Sequence, residues 1–336
     1  MIDVAVAGGG PVGLGAALHA ARAGLSVTVF EPRTGPIDKA CGEGLMPGAV
    51  RALSELGVSP EGAPLRGIRY VRDGHRAEAP FRSGPGRGVR RTTLHAALRD
   101  AAAGIDLRAE PVTDLVQKAD AVLVNGRRAR YLLAADGLHS PTRRRLGLDA
   151  PVPGSRRYGI RAHVETPPWT DFVEVHWVRG AEAYVTPLGP GLVGVAVLTD
   201  EPGPFDALIA RFPALRERMA GAPVSRALGA GPLRQRSSRR VAGRVLLVGD
   251  ASGYVDALTG EGIALGLAQA SAAVRAIVSG RPEDYESSWR QVSRRYQLLT
   301  HALLGATRLQ PARRALVPVA AALPPAFAAV VNQLAR

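Results

Sequence analysis

Three short segments, far apart in the chain, carry residues whose types and spacing suit a ligand rich in phosphates and hydroxyls. Gly8-Gly9-Gly10-Pro11-Val12-Gly13 follows the apolar run Asp3 to Ala7 and leads into an Ala- and Leu-rich stretch from Val12 to Ala23. That order reads as strand, tight turn and helix start. Gly8 allows the turn, Gly10 lets the backbone approach a pyrophosphate, and Gly13 lets the helix pack closely on the sheet. The helix then begins at Pro11, and the free N–H groups of its first turn, from Val12 on, face two phosphate charges. A second strand, Ser26 to Phe30, ends at Glu31, with Pro32 and Arg33 beside it as further candidates for binding the cofactor. A carboxylate there can accept bonds from both hydroxyls of a ribose, and it repels a 2′-phosphate. This is the opening βαβ unit of a dinucleotide fold.

The second segment is Asp136-Gly137, at the end of the apolar run Tyr131 to Ala135, with Ser140 and Arg143 placed to hold its loop. The third is Gly249-Asp250, which caps Val245 to Val248. Each carboxylate suits a ribityl or ribose hydroxyl. Thr259-Gly260-Glu261-Gly262 then opens an apolar helix, Ile263 to Val278, whose first N–H groups can stabilise negative charge on a reduced flavin. Near Val89 to Leu98 an Arg can pair with a pyrophosphate or cover the flavin edge, since its fork offers paired donors. Taken in order, the segments make sense around one FAD.

Composition narrows the remaining classes. The 336 residues are 46% hydrophobic and 21% charged, which is globular rather than disordered. The formal charge of +14 comes from 43 basic residues, nearly all Arg, against 29 acidic ones. With 5% aromatics and only short Arg clusters, the chain does not read as a nucleic-acid binder. Cys41 is the single cysteine, so neither a disulfide framework nor a cysteine-based metal site is expected, and no metal is. No basic-then-apolar leader precedes Ile2, and a cytoplasmic location is expected. Ala315 to Val331 is apolar but interrupted by Pro318, Pro324 and Pro325, so a pair of short packed helices, kinked near those prolines, is expected rather than a membrane span. Peripheral contact with a membrane stays open.

The elements that must position these residues are of two kinds. The strand–helix units form an α/β, Rossmann-like FAD-binding domain of the glutathione-reductase type, discontinuous over 1–155 and 240–305. Short alternating or apolar strands, such as Val173 to Val178 and Leu192 to Leu198, predict an antiparallel sheet inserted between the halves over 156–239. That sheet would roof the flavin ring and carry the substrate, with an excursion near 65–87 joining it and a helical segment over 306–336. Trp177 and Tyr184 are candidates for its lining.

The chain resembles flavoproteins of the p-hydroxybenzoate hydroxylase fold from residue 2 to about residue 305. Gly8 to Gly13 with Glu31, then Asp136-Gly137-x-x-Ser140-x-x-Arg143, then Gly249-Asp250 match that family's three fingerprints. The family's Arg three residues before a helix Leu falls on Arg91, with Leu94. Asp38 to Leu45 and Thr259-Gly260-Glu261-Gly262-Ile263 resemble the geranylgeranyl reductase-like branch. Departures occur as well: Ser252-Gly253 stands where hydroxylases carry Ala-His, Ala257 stands where a Pro is usual, and the tryptophan typical of reductases is missing beside Tyr184. The resemblance implies bound FAD and NAD(P)H as transient reductant. It implies an FAD-dependent monooxygenase that passes one oxygen atom from O2 to a small organic substrate, an aromatic ring among the options. The alternative is a reductase that saturates carbon–carbon double bonds of a prenyl or other apolar substrate. For this second activity Cys41, Glu43 and Tyr184 are the proton sources to consider if they reach the cavity.

Overall fold

The computed structural model describes residues 1–154 and 156–335; residue 155, the expected domain limit, and residue 336 lie outside the described residues. Ile2–Ala7 is flanked by two parallel partners, Val27–Phe30 on one side and Arg127–Ala134 on the other. Asp106–Arg108 extends the sheet beyond Val27–Phe30, and Val245–Leu247 extends it beyond Arg127–Ala134. A sheet covered on both faces asks for near-continuous apolar strands, which these sequences supply. The register sets Ala7 beside Phe30 and Ala134, and Ala134 beside Leu247, so these strands end together. Ligands of open α/β sheets bind beyond such strand ends. Arg127–Ala134 enters through a hairpin from Val122–Val124 whose turn is Asn125-Gly126, both at positive φ.

Two helices, Pro11–Arg22 and Gly262–Val278, cross against each other on this sheet. Their approach is close enough that a Cβ on Gly15 would lie 2.3 Å from Leu267, and one on Gly266 would lie 2.3 Å from Val12. Among the described residues a second sheet has seven strands, in the order Leu228–Ala230, Tyr158–Val164, Leu192–Thr199, Ala181–Gly189, Phe172–Val178, Gly67–Arg72 and His75–Pro80. Its pairs are antiparallel except Phe172–Val178 with Gly67–Arg72. A small sheet of Gly44–Leu45, Gly86–Gly88 and Ala63–Leu65 ties the two larger ones together. Gly88 passes so near the second sheet that a Cβ there would meet Pro187 O at 1.7 Å.

The chain ends in helices Gln310–Ala322 and Pro324–Leu334, bent 106° at their junction. No single helix among the described residues is long and apolar enough to cross a membrane. Of the two expected places, the break between the helices falls at Leu323-Pro324, and Pro318 lies within the first helix. Pro324 and Pro325 open the second helix, where a missing N–H costs nothing.

A buried ionic group fastens the parallel pair of the second sheet. Glu174 accepts from Arg69 Nη1 at 3.0 Å and Trp169 Nε1 at 3.2 Å, and pairs with His176 Nε2 at 2.7 Å. Burial alone would push its carboxyl up, but His176, Arg69 and Trp169 outweigh it and hold the group at about 2. A carboxyl held below its ordinary 4.5 stabilises the fold above that value, and loses the contribution as pH falls toward 2. By linkage this is worth about 3 kcal/mol. Acid titration of unfolding should therefore be steeper for the wild type than for Glu174→Gln across that window; parallel curves would contradict the assignment.

Candidate functional site

One cleft opens beyond the C-terminal ends of the parallel strands and runs beneath the second sheet. Its floor is formed by Gly8, Gly10, Val12, Asp136 and Asp250, and its roof by Ile160, Tyr184, Thr186, Ala196 and Leu198.

At the nucleotide end the glycines play separate parts. Gly8 has φ +98°, and Gly13 sits so close behind it that a Cβ would lie 1.8 Å from Gly8 O. Gly10 faces open space, where a Cβ would meet only Arg91 Nη2 at 3.7 Å. Pro11, Val12 and Gly10 line the cleft, whereas Gly13 packs the helix onto the strand. His95, which the sequence did not single out, is buried with its Nε2 3.0 Å from Gly9 O and so braces the turn.

Glu31 differs from the expectation of a carboxylate open to ribose. Its Oε2 accepts from Gly9 N and Arg33 Nη2, each at 2.9 Å. Its Oε1 accepts from Arg33 N at 3.0 Å and Arg33 Nε at 2.7 Å. Four donors fill the acceptor sites of the carboxylate. A ribose can reach it only as Arg33 yields, and Arg33 itself lines the cleft. Burial pushes the Glu31 carboxyl up, and the bonds from Arg33 and Gly9 bring it below its ordinary value. Pro32 is exposed and outside the cleft lining.

Two side chains in the middle of the cleft each carry a buried atom without a partner, and a third, Asp250, is a carboxyl raised by burial. Asp136 Oδ2 accepts from Thr142 N at 2.9 Å, but its Oδ1 is buried without a partner. Arg91 Nε is likewise buried and unpaired. Asp250 lines the cleft with its carboxyl pushed up by burial, which Lys39, Arg91 and Arg143 only partly offset. Buried orphan acceptors and donors are costly unless a ligand supplies the partner. Hydroxyls and phosphate oxygens would satisfy all three, and the open backbone at Gly10 admits a pyrophosphate. Arg143 acts differently. It is buried, and its bonds to Asp149, Ala251 O, Leu138 O and Gln235 hold the Asp136 and Asp250 loops together. Gly249, at φ +60°, sits behind Val12 rather than on the cleft surface.

At the other end Gly260, Gly262 and Ile263 line the cleft where helix Gly262–Val278 begins. Opposite them are Cys41 and Glu43. Glu43 has φ +58°, a strained backbone for a residue with a side chain. Its surroundings fix it there: Oε1 accepts from Arg91 N at 2.8 Å, capping helix Arg91–Ala101, and Oε2 lies 2.8 Å from His163 Nε2. Arg161 Nη1 lies 3.3 Å from His163 Nδ1, so a neutral imidazole would accept there and donate to Glu43. Cys41 receives a bond from Glu43 N at 3.4 Å, and burial pushes its thiol up. Tyr184 lines the cleft with its ring, while its hydroxyl donates to Leu258 O at 3.1 Å. Burial pushes that phenol well above its ordinary value. Arg161 and His163 were missed in the sequence; their spacing of two along a strand, which puts both on one face, was the available signal.

Residues 1–192 match a family described as the FAD binding domain. The chain belongs to this FAD-binding family. It is 32% identical over 323 residues to menaquinone reductase of Mycolicibacterium smegmatis, covering 85% of this chain and 79% of that protein. It is 29% identical over 323 residues to digeranylgeranylglycerophospholipid reductase 1 of Methanopyrus kandleri, covering 88% and 84%. In fold it is similar to a geranylgeranyl bacteriochlorophyll reductase-like protein of Thermoplasma acidophilum, with TM-score 0.79 and 19% identity over 95% of this chain and 91% of that one. The protein is an FAD-dependent oxidoreductase of the p-hydroxybenzoate hydroxylase fold.

Proposed function

We propose that this oxidoreductase saturates carbon–carbon double bonds in the polyprenyl chain of a lipid. The observation that carries the reading is the continuity of the cleft. The cavity that holds the orphaned polar groups suited to FAD is also walled by Leu138, Ile160, Val173, Ala196, Leu198 and Leu233, an apolar lining that suits hydrocarbon. The two reductases it resembles over most of their length are named for menaquinone and for a digeranylgeranyl phospholipid, and both of those lipids bear polyprenyl chains. The alternative expectation of oxygen transfer to a small organic substrate has less support, because neither of these relatives is named for it.

Bound and reduced by NAD(P)H or another donor, FAD would supply a hydride to one carbon of the double bond. The protein's part is to hold the cofactor, exclude water and deliver a proton to the neighbouring carbon. Asp136, Asp250 and Arg91 would hold it, and Arg33 would move aside from Glu31 to admit the ribose. Ile160 and Leu198 keep the cavity dry. Cys41 suits the proton donor: it lines the cleft, and burial keeps its proton on sulfur. Glu43 only accepts in its pairings with Arg91 N and His163, which suits an anchor for the Cys41 loop. The hydroxyl of Tyr184 is committed to Leu258 O.

The test is anaerobic turnover of a geranylgeranyl lipid by the reduced holoenzyme, with product masses read by mass spectrometry. A gain of two hydrogens per double bond, with deuterium incorporated when the solvent is D2O, is the expected product. An oxygenated product formed only after air is admitted would reject the reading in favour of a monooxygenase. Cys41→Ala should slow saturation about 10²-fold, a usual loss for a positioned general acid, while FAD content and reduction stay unchanged. Full saturation rate in that variant would remove Cys41 from the role.

A further inference from the structure

Helix Gly262–Val278 starts in a wall between two cavities. On one side Gly260 and Gly262 line the flavin cleft. On the other, Glu261 faces a separate opening between the helices Pro11–Arg22, Pro47–Glu55, Gly262–Val278 and Asp284–Arg308. The two cavities share no lining residue among those described. Glu261 occupies the helix cap position, where a carboxylate is ordinarily favoured by the free N–H groups and the helix dipole. Here it makes no capping bond, it is only 7% exposed, and its Oε2 is buried without a partner. The nucleotide and hydride roles described above make no use of it.

The charges around it are few. Arg295 and Tyr296 face the opening from helix Asp284–Arg308, Arg51 and Glu55 from helix Pro47–Glu55, His19 from Pro11–Arg22, and Arg275 from the far end of its own helix. Among the described residues, Glu261 forms no ion pair with any of these cations at the distance of a salt bridge. Burial pushes its carboxyl up, with Arg295 and Thr259 only partly opposing, to about 8. The carboxyl therefore changes charge near neutrality, behind the segment of backbone that touches the cofactor cleft.

We propose that Glu261, wherever it is ionised beside oxidised FAD, takes up a proton from solvent when the FAD in this cleft is reduced, so that no carboxylate charge stands behind Gly260 and Gly262 while the cofactor carries the added electrons. The balance is simple. Two electrons and one proton enter the cofactor from a hydride donor or, at an electrode, from mediator and solvent. One further proton passes from solvent, through the opening between the helices, to Glu261. Glu261 is thus a positioning residue for charge, and it acts on the equilibrium of reduction rather than on substrate. This role needs only bound FAD and is independent of which substrate the enzyme reduces.

The experiment is a pH series of the midpoint potential of the holoenzyme, from about pH 6 to about pH 10, for the wild type and Glu261→Gln. Below about pH 7 Glu261 is neutral in both redox states, and the two proteins should track together. Above about pH 8 the oxidised wild type has lost that proton and must regain it on reduction. Its potential should then fall more steeply than the variant's by a further tenfold in equilibrium constant per pH unit, about 30 mV for a two-electron couple. Curves that superimpose, or that differ by a constant offset at every pH, overturn the proposal. Should the variant lose FAD, the wild type decides alone by redox-difference infrared spectroscopy above about pH 8. A protonated carboxyl band gained on reduction supports the proposal, and its absence overturns it.

Discussion

Gly13→Ala is expected to destabilise the apo protein by about 3 kcal/mol or more, because the change forces overpacking against backbone rather than against a side chain that can move. The new Cβ would lie 1.8 Å from Gly8 O, 3.0 Å from Gly8 C and 3.3 Å from Ala135 Cβ. Gly8 cannot retreat, since it is held at φ +98° with Ala135 O against its own free side. The helix Pro11–Arg22 must lift from the sheet instead, and it takes with it the contact between Val12 and Gly266. Thermal unfolding without cofactor should show a midpoint lowered by about 5 °C or more. Gly10→Ala is the matched comparison. Its Cβ has 3.7 Å of clearance to the nearest atom, so the apo midpoint should stay where it is. FAD affinity should nevertheless fall at least about tenfold, because the methyl enters the space the pyrophosphate needs. Equal effects of the two substitutions on the apo protein would show that the turn is not packed as described.

Glu182→Ala should have a comparable or larger effect at a site remote from the nucleotide turn. Glu182 is fully buried on strand Ala181–Gly189 and pairs with Arg157 and with Arg313, the latter at 2.6 Å. Both arginine side chains are only 12% exposed. Removing the carboxylate leaves two guanidiniums in a poorly solvated place, and breaking a buried pair in this way costs about 3–5 kcal/mol. Arg157 keeps a weaker partner in Asp256 at 3.5 Å, whereas the Arg313 guanidinium, among the described residues, keeps a bond only to Ala181 O. The loss should therefore be felt most in helix Gln310–Ala322. Calorimetry would register the lower stability, and hydrogen exchange would rise first over residues 310–334. Unchanged exchange there would mean that the helix pair is held by its other contacts, Tyr70 against Phe327 and the Asn332 bonds to Arg82 N and Pro80 O among them.

The parts of the molecule that could be read from the sequence are those in which a residue acts through its own backbone. Gly8, Gly10 and Gly13 announce a strand, turn and helix because side chains are excluded there for local reasons. The alternating strands from Tyr158 to Thr199 announce a sheet in the same way, since their period is a property of each strand by itself. What could not be read depends on partners remote in sequence. Glu43 meets His163 across 120 positions, and Glu182 meets Arg313 across 131. Glu31 departs from expectation for the opposite reason, a competitor too near: Arg33, two residues on, takes the acceptor sites that a ribose would use.

The central sheet also has a bearing on how the protein is made. Arg127–Ala134 lies between Ile2–Ala7 and Val245–Leu247, so one of its edges is completed by a strand that leaves the ribosome more than a hundred residues later. At about 5–20 residues per second, that edge waits several seconds for its partner during synthesis. Over that interval Leu132 and Leu133, buried in the finished protein, lack one neighbouring strand, and an unpaired edge of this kind invites association between nascent chains. Asp250 and the Gly260 to Ile263 segment, proposed to hold the cofactor, arrive later still, so on that reading both ends of the cofactor can be held only after residue 263 has emerged. On that reading flavin is loaded only after strand Val245–Leu247 has emerged, and truncated chains that stop before Val245 should be clients of chaperones rather than partial flavoproteins.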